Sequence, residues 1–355
     1  MKKLIAFICW AEVLFMWLCA GCRFINAAET HRIFSIPGLL FPISAIIVVL
    51  TAVVCAFVAR RQLLILLLGM AVCFHSFRDY CPFNFGTSIP EENFIKVMTY
   101  NTLGLGEHKT DDAGDFQIAH YIGTENPHIA CLQEANFRYP ADQESFLKTI
   151  EEYGYDYKWL AVGDANMGVA SKFPIVDYKE IFHCGGNGAA AFFVLPPQQD
   201  TIVVINAHLE SMHLSAEDRG QYHAIVKNLN HADTIKGKRT ILSKIANAGV
   251  ERARQADLLA HFVDSLAGKR IILTGDFNDT PISYAHYQIC KRLTDAFKTA
   301  GNGMGRSFSK DAIIVRIDNI FCSSHWIPQY TYVEKSVNYS DHYPIISYLK
   351  ENDGQ

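Results

Sequence analysis

The chain has 355 residues, of which 50% are hydrophobic and only 19% charged, with a formal net charge of −4. So greasy a composition excludes an ordinary soluble enzyme over its whole length, and the mild acidity excludes the global basic field that draws nucleic acid. The 10 cysteines are scattered without a CxxC pair or zinc-type Cys/His spacing, so they read as small buried hydrophobes and leave the redox compartment open.

Three apolar stretches come first, Leu4–Ala20, Phe34–Ala59 and Leu63–Phe77. The middle one exceeds the ~20 residues that cross a bilayer. The first is short and carries Glu12, a carboxylate that is costly in hydrocarbon unless paired or hydrated. The third is also short and ends at His75 and Arg78. A buried core helix would account for any one of them; three in succession predict a membrane region, residues 1–78, with two or three transmembrane helices. The first stretch has a second reading. Met1-Lys2-Lys3, the apolar run and the small residues before Cys22 also fit a lipoprotein signal peptide. In either case Lys2, Lys3, Arg60 and Arg61 satisfy the positive-inside rule if cytoplasmic, which carries everything after Phe77 out of the cytoplasm.

Residues 79–93, with Pro82, Gly86 and Pro90, read as a linker. Strands are predicted at Ile95–Tyr100, Ile129–Leu132, Thr201–Ala207, Arg270–Thr274 and Ile313–Phe321. Helical spacing of apolar residues appears over Phe116–Gly123, Gln143–Glu152 and Glu251–Leu266. Short strands alternating with helices and long loops predict one α/β or α+β domain over residues 94–350.

Acids, amides and histidines recur just past those strands. In order they are Asn101 in Met98-Thr-Tyr-Asn101, Glu134 in Cys131-Leu-Gln-Glu134, and Asn206 with His208 in Ile205-Asn-Ala-His208. Asp276 and Asn278 follow in Leu273-Thr-Gly-Asp276-Phe-Asn278, then Asp318 in Arg316-Ile-Asp318, then Ser340-Asp341-His342. Singly, each is an ordinary turn, cap or core residue. Together and in this order, with Ser171-Lys-Phe-Pro-Ile175 in support, they resemble the endonuclease/exonuclease/phosphatase superfamily, the DNase I-like group. The resemblance runs from Phe94 to Leu349.

It implies a two-sheet β-sandwich flanked by helices, with one site at the top of the sandwich, and hydrolysis of phosphoester bonds with Mg²⁺ or Mn²⁺. It also implies the roles. Glu134 is the main metal ligand, Asn101 helps to hold the ion or the phosphate, and Asp341 is a second carboxylate near the metal. Asp276 positions or deprotonates the attacking water, and Asn278 orients that water or the phosphate. His208 meets the phosphate or leaving oxygen with Asn206 supporting it, Asn206, Asn278 and His208 together lining the substrate phosphate, and His342 pairs with Asp318. A hard cation suits this chemistry because it neutralises both the repelling phosphoryl oxygens and the charge gathering on the leaving oxygen.

The chain departs from the repair nucleases of that superfamily. No basic residue follows Asn101-Thr-Leu-Gly-Leu-Gly, and nothing matches their phosphate-covering tyrosine. Lys227, Lys236, Lys238, Arg239, Lys244, Arg252 and Arg254 face only Asp233 and Glu251, which fits either a solvated helix pair or a basic lip for anionic substrate. The expected partners are a membrane and a phosphoester substrate, either nucleic acid or a phospholipid or sugar phosphate; no protein partner is expected. The rival class is a catalytically idle binding protein with the same fold.

Overall fold

A computed structural model describes the chain except for residues 1, 108–109, 111–115, 138, 161–165, 198–199, 213–232, 311–314, 353 and 355. Lys227, and the side chains of Asp233, Lys236, Lys238 and Arg239, lie outside the described residues, and with them most of the basic segment. The chain divides into two compact units. One comprises Met1–Tyr80, Glu210–Ala256 and Asp279–Tyr287; the other comprises Cys81–Leu209, Asp257–Asn278 and Gln288–Gln355. Two later segments, Glu210–Ala256 and Asp279–Tyr287, thus group with the first eighty residues.

In the first unit, α1 (Lys2–Gly21), α2 (Pro37–Val58), α3 (Arg60–Val72) and α4 (Phe74–Tyr80) follow the three apolar stretches. The segments Lys2–Phe24 and Pro37–Val58 are each long and apolar enough to cross a membrane, and α3 with α4 forms a third candidate bent by 61°. The helices meet along a narrow seam. Cys9, Val13, Met16 and Cys19 on α1 face Phe41, Val48, Ala52 and Cys55 on α2, at the three- and four-residue spacing of a helical stripe. Their other faces expose large apolar side chains such as Phe7, Leu14, Ile47, Val54 and Phe57. The seam mixes small residues, Cys9, Cys19, Ala52 and Cys55, with the larger Val13, Met16, Phe41 and Val48. Gly69 lets α3 approach α1, since a Cβ there would stand 2.5 Å from Val13. Glu12 accepts a hydrogen bond from Thr51 Oγ1 at 3.0 Å, a partner that lowers the cost of a carboxylate in this setting.

In the second unit, β1 (Phe94–Asn101), α5 (Leu103–Glu107), α6 (Gln117–Glu125), β2 (Ile129–Gln133) and α7 (Pro140–Glu152) come first. Then come β3 (Tyr157–Leu160), β4 (Met167–Ser171), β5 (Ile175–Cys184), β6 (Asn187–Val194) and β7 (Ile202–His208). Of the later helices, α8 (Asp233–Ser265) belongs to the first unit as far as Ala256 and α9 (Tyr284–Cys290) as far as Tyr287, while β8 (Arg270–Asp276), β9 (Thr294–Asp295), α10 (Ala296–Ala300), β10 (Asp318–Cys322), β11 (Trp326–Val333) and β12 (Ile345–Glu351) all belong to the second. The strands form two six-stranded sheets, ordered β11-β12-β1-β2-β4-β3 and β5-β6-β7-β8-β10-β9. As expected, this is a two-sheet sandwich flanked by helices.

Alternation along the strands decides what lies where. On β1, Ile95 and Val97 enter the core between the sheets, while Met98 and Tyr100 turn outward to pack with Ile118, Ile122, Phe146 and Ile150 of α6 and α7. The second sheet supplies Val204, Ile272 and Ile320 to the same inter-sheet core. That core is apolar for most of its depth. Near one end of the strands the inward rows become polar.

Candidate active site

The polar end of the sandwich has two layers. In the deeper one, Thr99, Gln133, Asn206 and Thr274 are all fully buried. Gln133 Nε2 donates to Asn206 Oδ1 at 2.6 Å and to Thr99 Oγ1 at 3.1 Å. Asn206 Nδ2 donates to the carbonyls of Leu132 at 2.9 Å and Gly168 at 3.0 Å. This amide thus ties one sheet to the other. It is not available to a phosphate, contrary to the role expected for it, because every polar atom it carries is engaged inside the sandwich.

Two residues further along each strand, on the same faces, stand Asn101, His208 and Asp276, with Asp318 at the start of β10. Backbone pairing sets three of them side by side: His208 is opposite Asp276 in the parallel β7–β8 ladder, and Asp276 is opposite Asp318 in the antiparallel β8–β10 ladder. The close approach of β7 and β8 depends on Gly275, which has φ +144° and leaves only 1.8 Å between a notional Cβ and the Ala207 carbonyl oxygen. Only glycine tolerates that position.

Loops complete the ring. Asn101 Nδ2 donates to Glu134 Oε1 and to Asp276 Oδ2, each at 3.0 Å, and so holds two carboxylates at a fixed spacing. Its Oδ1 accepts from the Leu103 N–H at 3.2 Å. Glu134 has a left-handed backbone, φ 51°, which swings its carboxylate off the end of β2. Asn278 is likewise left-handed at φ 51°. Its N–H donates to Asp276 Oδ1 at 2.8 Å and its Nδ2 to the Leu209 carbonyl at 3.0 Å, so it grips Asp276 from behind. Ser340 Oγ donates to the Asn101 carbonyl at 2.8 Å and carries the Asp341-His342 pair to the site.

His342 Nδ1 lies 2.9 Å from Asp318 Oδ2, and its Nε2 lies 3.7 Å from Asp276 Oδ2. Burial disfavours a charged ring, but the charges of Asp318 and Asp276, and the hydrogen bond to Asp318, outweigh it and hold the His342 pKa up at about 10. The imidazolium form therefore carries a proton on Nδ1 facing Asp318. Burial, helped by the charge of Asp318, raises Asp276 to about 6, against the pull of His342, His208 and the Asn278 N–H. His208 Nε2 sits 3.7 Å from Glu134 Oε1 and 3.9 Å from Asp276 Oδ2. Both of its ring nitrogens are buried without a hydrogen-bond partner, as is Asp318 Oδ1. Buried polar atoms left unpaired are costly and mark a place built for something else to bind.

The donor chemistry suits a hard cation. Oxygen and nitrogen atoms of Asp276, Asp318 and His342 lie within 4.8 Å of one another. The carboxylates of Glu134, Asp276, Asp318 and Asp341 outnumber the nearby cations His342 and Lys310, whose Nζ stands 3.4 Å from Asp341. A divalent ion would neutralise that excess.

Three contributors carry no sequence signal of their own. Gln133 and Gly275 are small steps inside apolar runs. The third is the loop at residues 305–310, where Ser307 Oγ accepts from the Asp318 N–H at 3.1 Å and the Phe308 ring meets the His342 ring edge-on at 5.1 Å. Arg316 lies beside the site but not in it. It is fully buried, pairs with Asp295 at 2.8 Å and bonds Asn319 Oδ1 at 2.6 Å, so it braces β9 against β10.

A sequence model of the endonuclease/exonuclease/phosphatase family matches residues 98–342, and one of a domain of unknown function matches residues 2–80. Among solved structures the chain is similar to an endonuclease/exonuclease/phosphatase from Beutenbergia cavernae, at 17% identity and a TM-score of 0.50, over 74% of this chain and 72% of that one. It is also similar to the human nocturnin catalytic domain, at 14% identity and a TM-score of 0.50, over 76% of this chain and 98% of that one. At these identities the likeness is one of fold. Searched against curated proteins, the chain finds no match.

Proposed function

The chain belongs to the endonuclease/exonuclease/phosphatase family, and from that premise we propose that it is a divalent-metal-dependent phosphoester hydrolase held at a membrane, with its catalytic residues outside the cytoplasm. The observation that carries the proposal is the buried row His208, Asp276 and Asp318, with His342 bonded to Asp318 and both His208 nitrogens unbonded. Such a row is expensive for a fold to keep without a divalent cation to balance its carboxylates and an anionic group to meet its histidines.

A metal ion held by Glu134 and Asp341, with Asn101 beside them, would supply charge neutralisation at the phosphoryl oxygens. The remaining chemistry falls to side chains. Asp276, braced by the Asn278 N–H, accepts a proton from the attacking water. His342, kept cationic by Asp318, donates through Nε2 to a phosphoryl oxygen. His208 offers its unbonded Nε2 to the oxygen of the leaving group. Asn101 keeps the Glu134 and Asp276 carboxylates apart, so that water and phosphate meet between them.

The membrane part of the proposal draws on the two helices of membrane-crossing length and on the placing of Lys2, Lys3, Arg60 and Arg61. The test is hydrolysis by the full-length chain in detergent, with and without a chelator, against DNA, RNA, phospholipid and simple aryl phosphodiesters. Chelator-sensitive turnover of at least one of them, abolished in Asp276→Asn, is the expected result. Equal background in parent and variant on all four would leave the chain a binding protein of this fold.

A further inference from the structure

We infer that residues Pro82–Phe85 form a membrane-contact strap: Phe83 and Phe85 seat at the boundary between lipid headgroups and acyl chains, while the backbone around them fastens the catalytic unit to that surface. This rests on the membrane reading above.

The level of that boundary can be read within the first unit. Phe77 and Tyr80 of α4 pack on Phe41 near the start of α2, with ring centroids at 5.4 and 6.4 Å. Just past the end of α1, Arg23 pairs with Asp79 at 2.5 Å, and both are buried. The end of α1, the start of α2 and all of α4 therefore converge at one level. A charged pair with Arg78 beside it belongs at the headgroups rather than in hydrocarbon. Lys2, Lys3, Arg60 and Arg61 occupy the opposite helix ends. Between the two levels α2 has 22 residues, a rise of ~33 Å that matches a hydrocarbon core of ~30 Å.

Cys81 follows Tyr80 directly. Since a chain advances at most ~3.6 Å per residue, Phe83 stands within ~11 Å of the end of α4 and Phe85 within ~18 Å. Phe85 is 96% exposed, Phe83 62% and Ile89 54%. Three large apolar side chains held in water within seven residues make an exposed patch that calls for an apolar neighbour, and the neighbour that chain continuity guarantees is the bilayer.

The segment is not a loose tether. The Pro82 carbonyl accepts from the Gly303 N–H at 2.9 Å. The Asn84 N–H donates to Asn302 Oδ1 at 2.7 Å, and Asn84 Nδ2 donates to the carbonyls of Lys298 at 3.0 Å and Gly301 at 2.6 Å. Residues 82 and 84 thus grip the end of α10 and the loop after it, while the side chains of 83 and 85 keep most of their surface exposed. The period of two is that of an extended segment with one face bonded and the other offered.

The test places the photo-crosslinker p-benzoylphenylalanine at position 85 of the full-length chain, in vesicles of phosphatidylethanolamine and phosphatidylglycerol. A parallel sample carries it at position 54, on the exposed face of α2. Illumination is expected to attach lipid at both positions. Lipid attached at 54 but not at 85 would overturn the strap and leave the membrane anchor standing. Lipid at neither position would remove both readings, and crosslinks from 85 to protein alone would replace the bilayer with a protein neighbour.

Discussion

Asp318 and His342 are 24 residues apart in the chain and 2.9 Å apart in space. A histidine is useful to a phosphate as a charged donor when something holds its ring and raises its pKa, and a carboxylate on the far nitrogen does both. His342→Ala is expected to lower kcat roughly 10²- to 10⁴-fold. Residues that act as a unit give non-additive losses. The double variant Asp318→Asn, His342→Ala should therefore be little slower than His342→Ala alone, and multiplicative losses in steady-state kinetics would dissolve the pair. Glu134→Gln exchanges a charged ligand for a neutral amide, and should weaken metal activation about 10-fold or more with only partial rescue by excess Mg²⁺ or Mn²⁺. Parent-like activity at low metal would remove Glu134 from the ligand set. Gly275→Ala acts on the fold, since its Cβ would lie 1.8 Å from the Ala207 oxygen. A loss of at least about 3 kcal/mol in denaturant melts is expected, and an unshifted midpoint would show that β7 and β8 can part freely.

At the scale of elements, β2, β7 and β8 are legible because each carries a run of apolar residues that ends in polar ones, and β1 because Ile95, Val97, Met98 and Tyr100 keep it apolar around Lys96 and Thr99. The edge strand β5 is not, since Ile175–Cys184 is exposed along most of its length and shows no alternation. Its neighbour β6 opens with Asn-Gly-Ala-Ala-Ala, residues that carry no strand preference. Asn206 shows the limit of motif reading. It precedes His208 by two, so both face inward, and the order of the residues alone does not tell which is the last rung of the ladder and which is the one beneath. The loop before β2 carries a pH dependence that follows from packing. His128 accepts the Lys96 N–H on Nδ1 at 2.9 Å and stacks on Phe173 at 5.6 Å. Burial first, then the charges of Lys172 and Lys96, lower its pKa from 6.5. The fold thus prefers the neutral ring, and this stability is complete above 6.5 and fades as pH falls below it. His128→Asn, which keeps an acceptor near that N–H, should flatten the fall in thermal stability below pH 6.5 relative to the parent. Parallel curves for the two proteins would put the acid sensitivity elsewhere.

For the whole molecule, the charge at the helix ends sets the expected topology. Lys2, Lys3, Arg60 and Arg61 outweigh Arg23, Arg32 and Arg78 only slightly, so the arrangement needs a direct measurement. A reporter enzyme fused after Gln355 and active only outside the cytoplasm should be active, and a cytoplasm-only reporter at the same point should be silent. The reverse pair of results would invert the chain in the membrane.

The way the site closes ties it to the two ends of the sandwich. Ser340 bonds the Asn101 carbonyl across 239 residues, and β12, just beyond His342, pairs with β1. The last strand of the sandwich thus finishes a pocket begun by its first. Without it, Asp318 and Asp276 lack the imidazolium that balances them. Fraying of that closing strand and loss of the ion-paired row are therefore one event, so the site is only as durable as the β1–β12 seam.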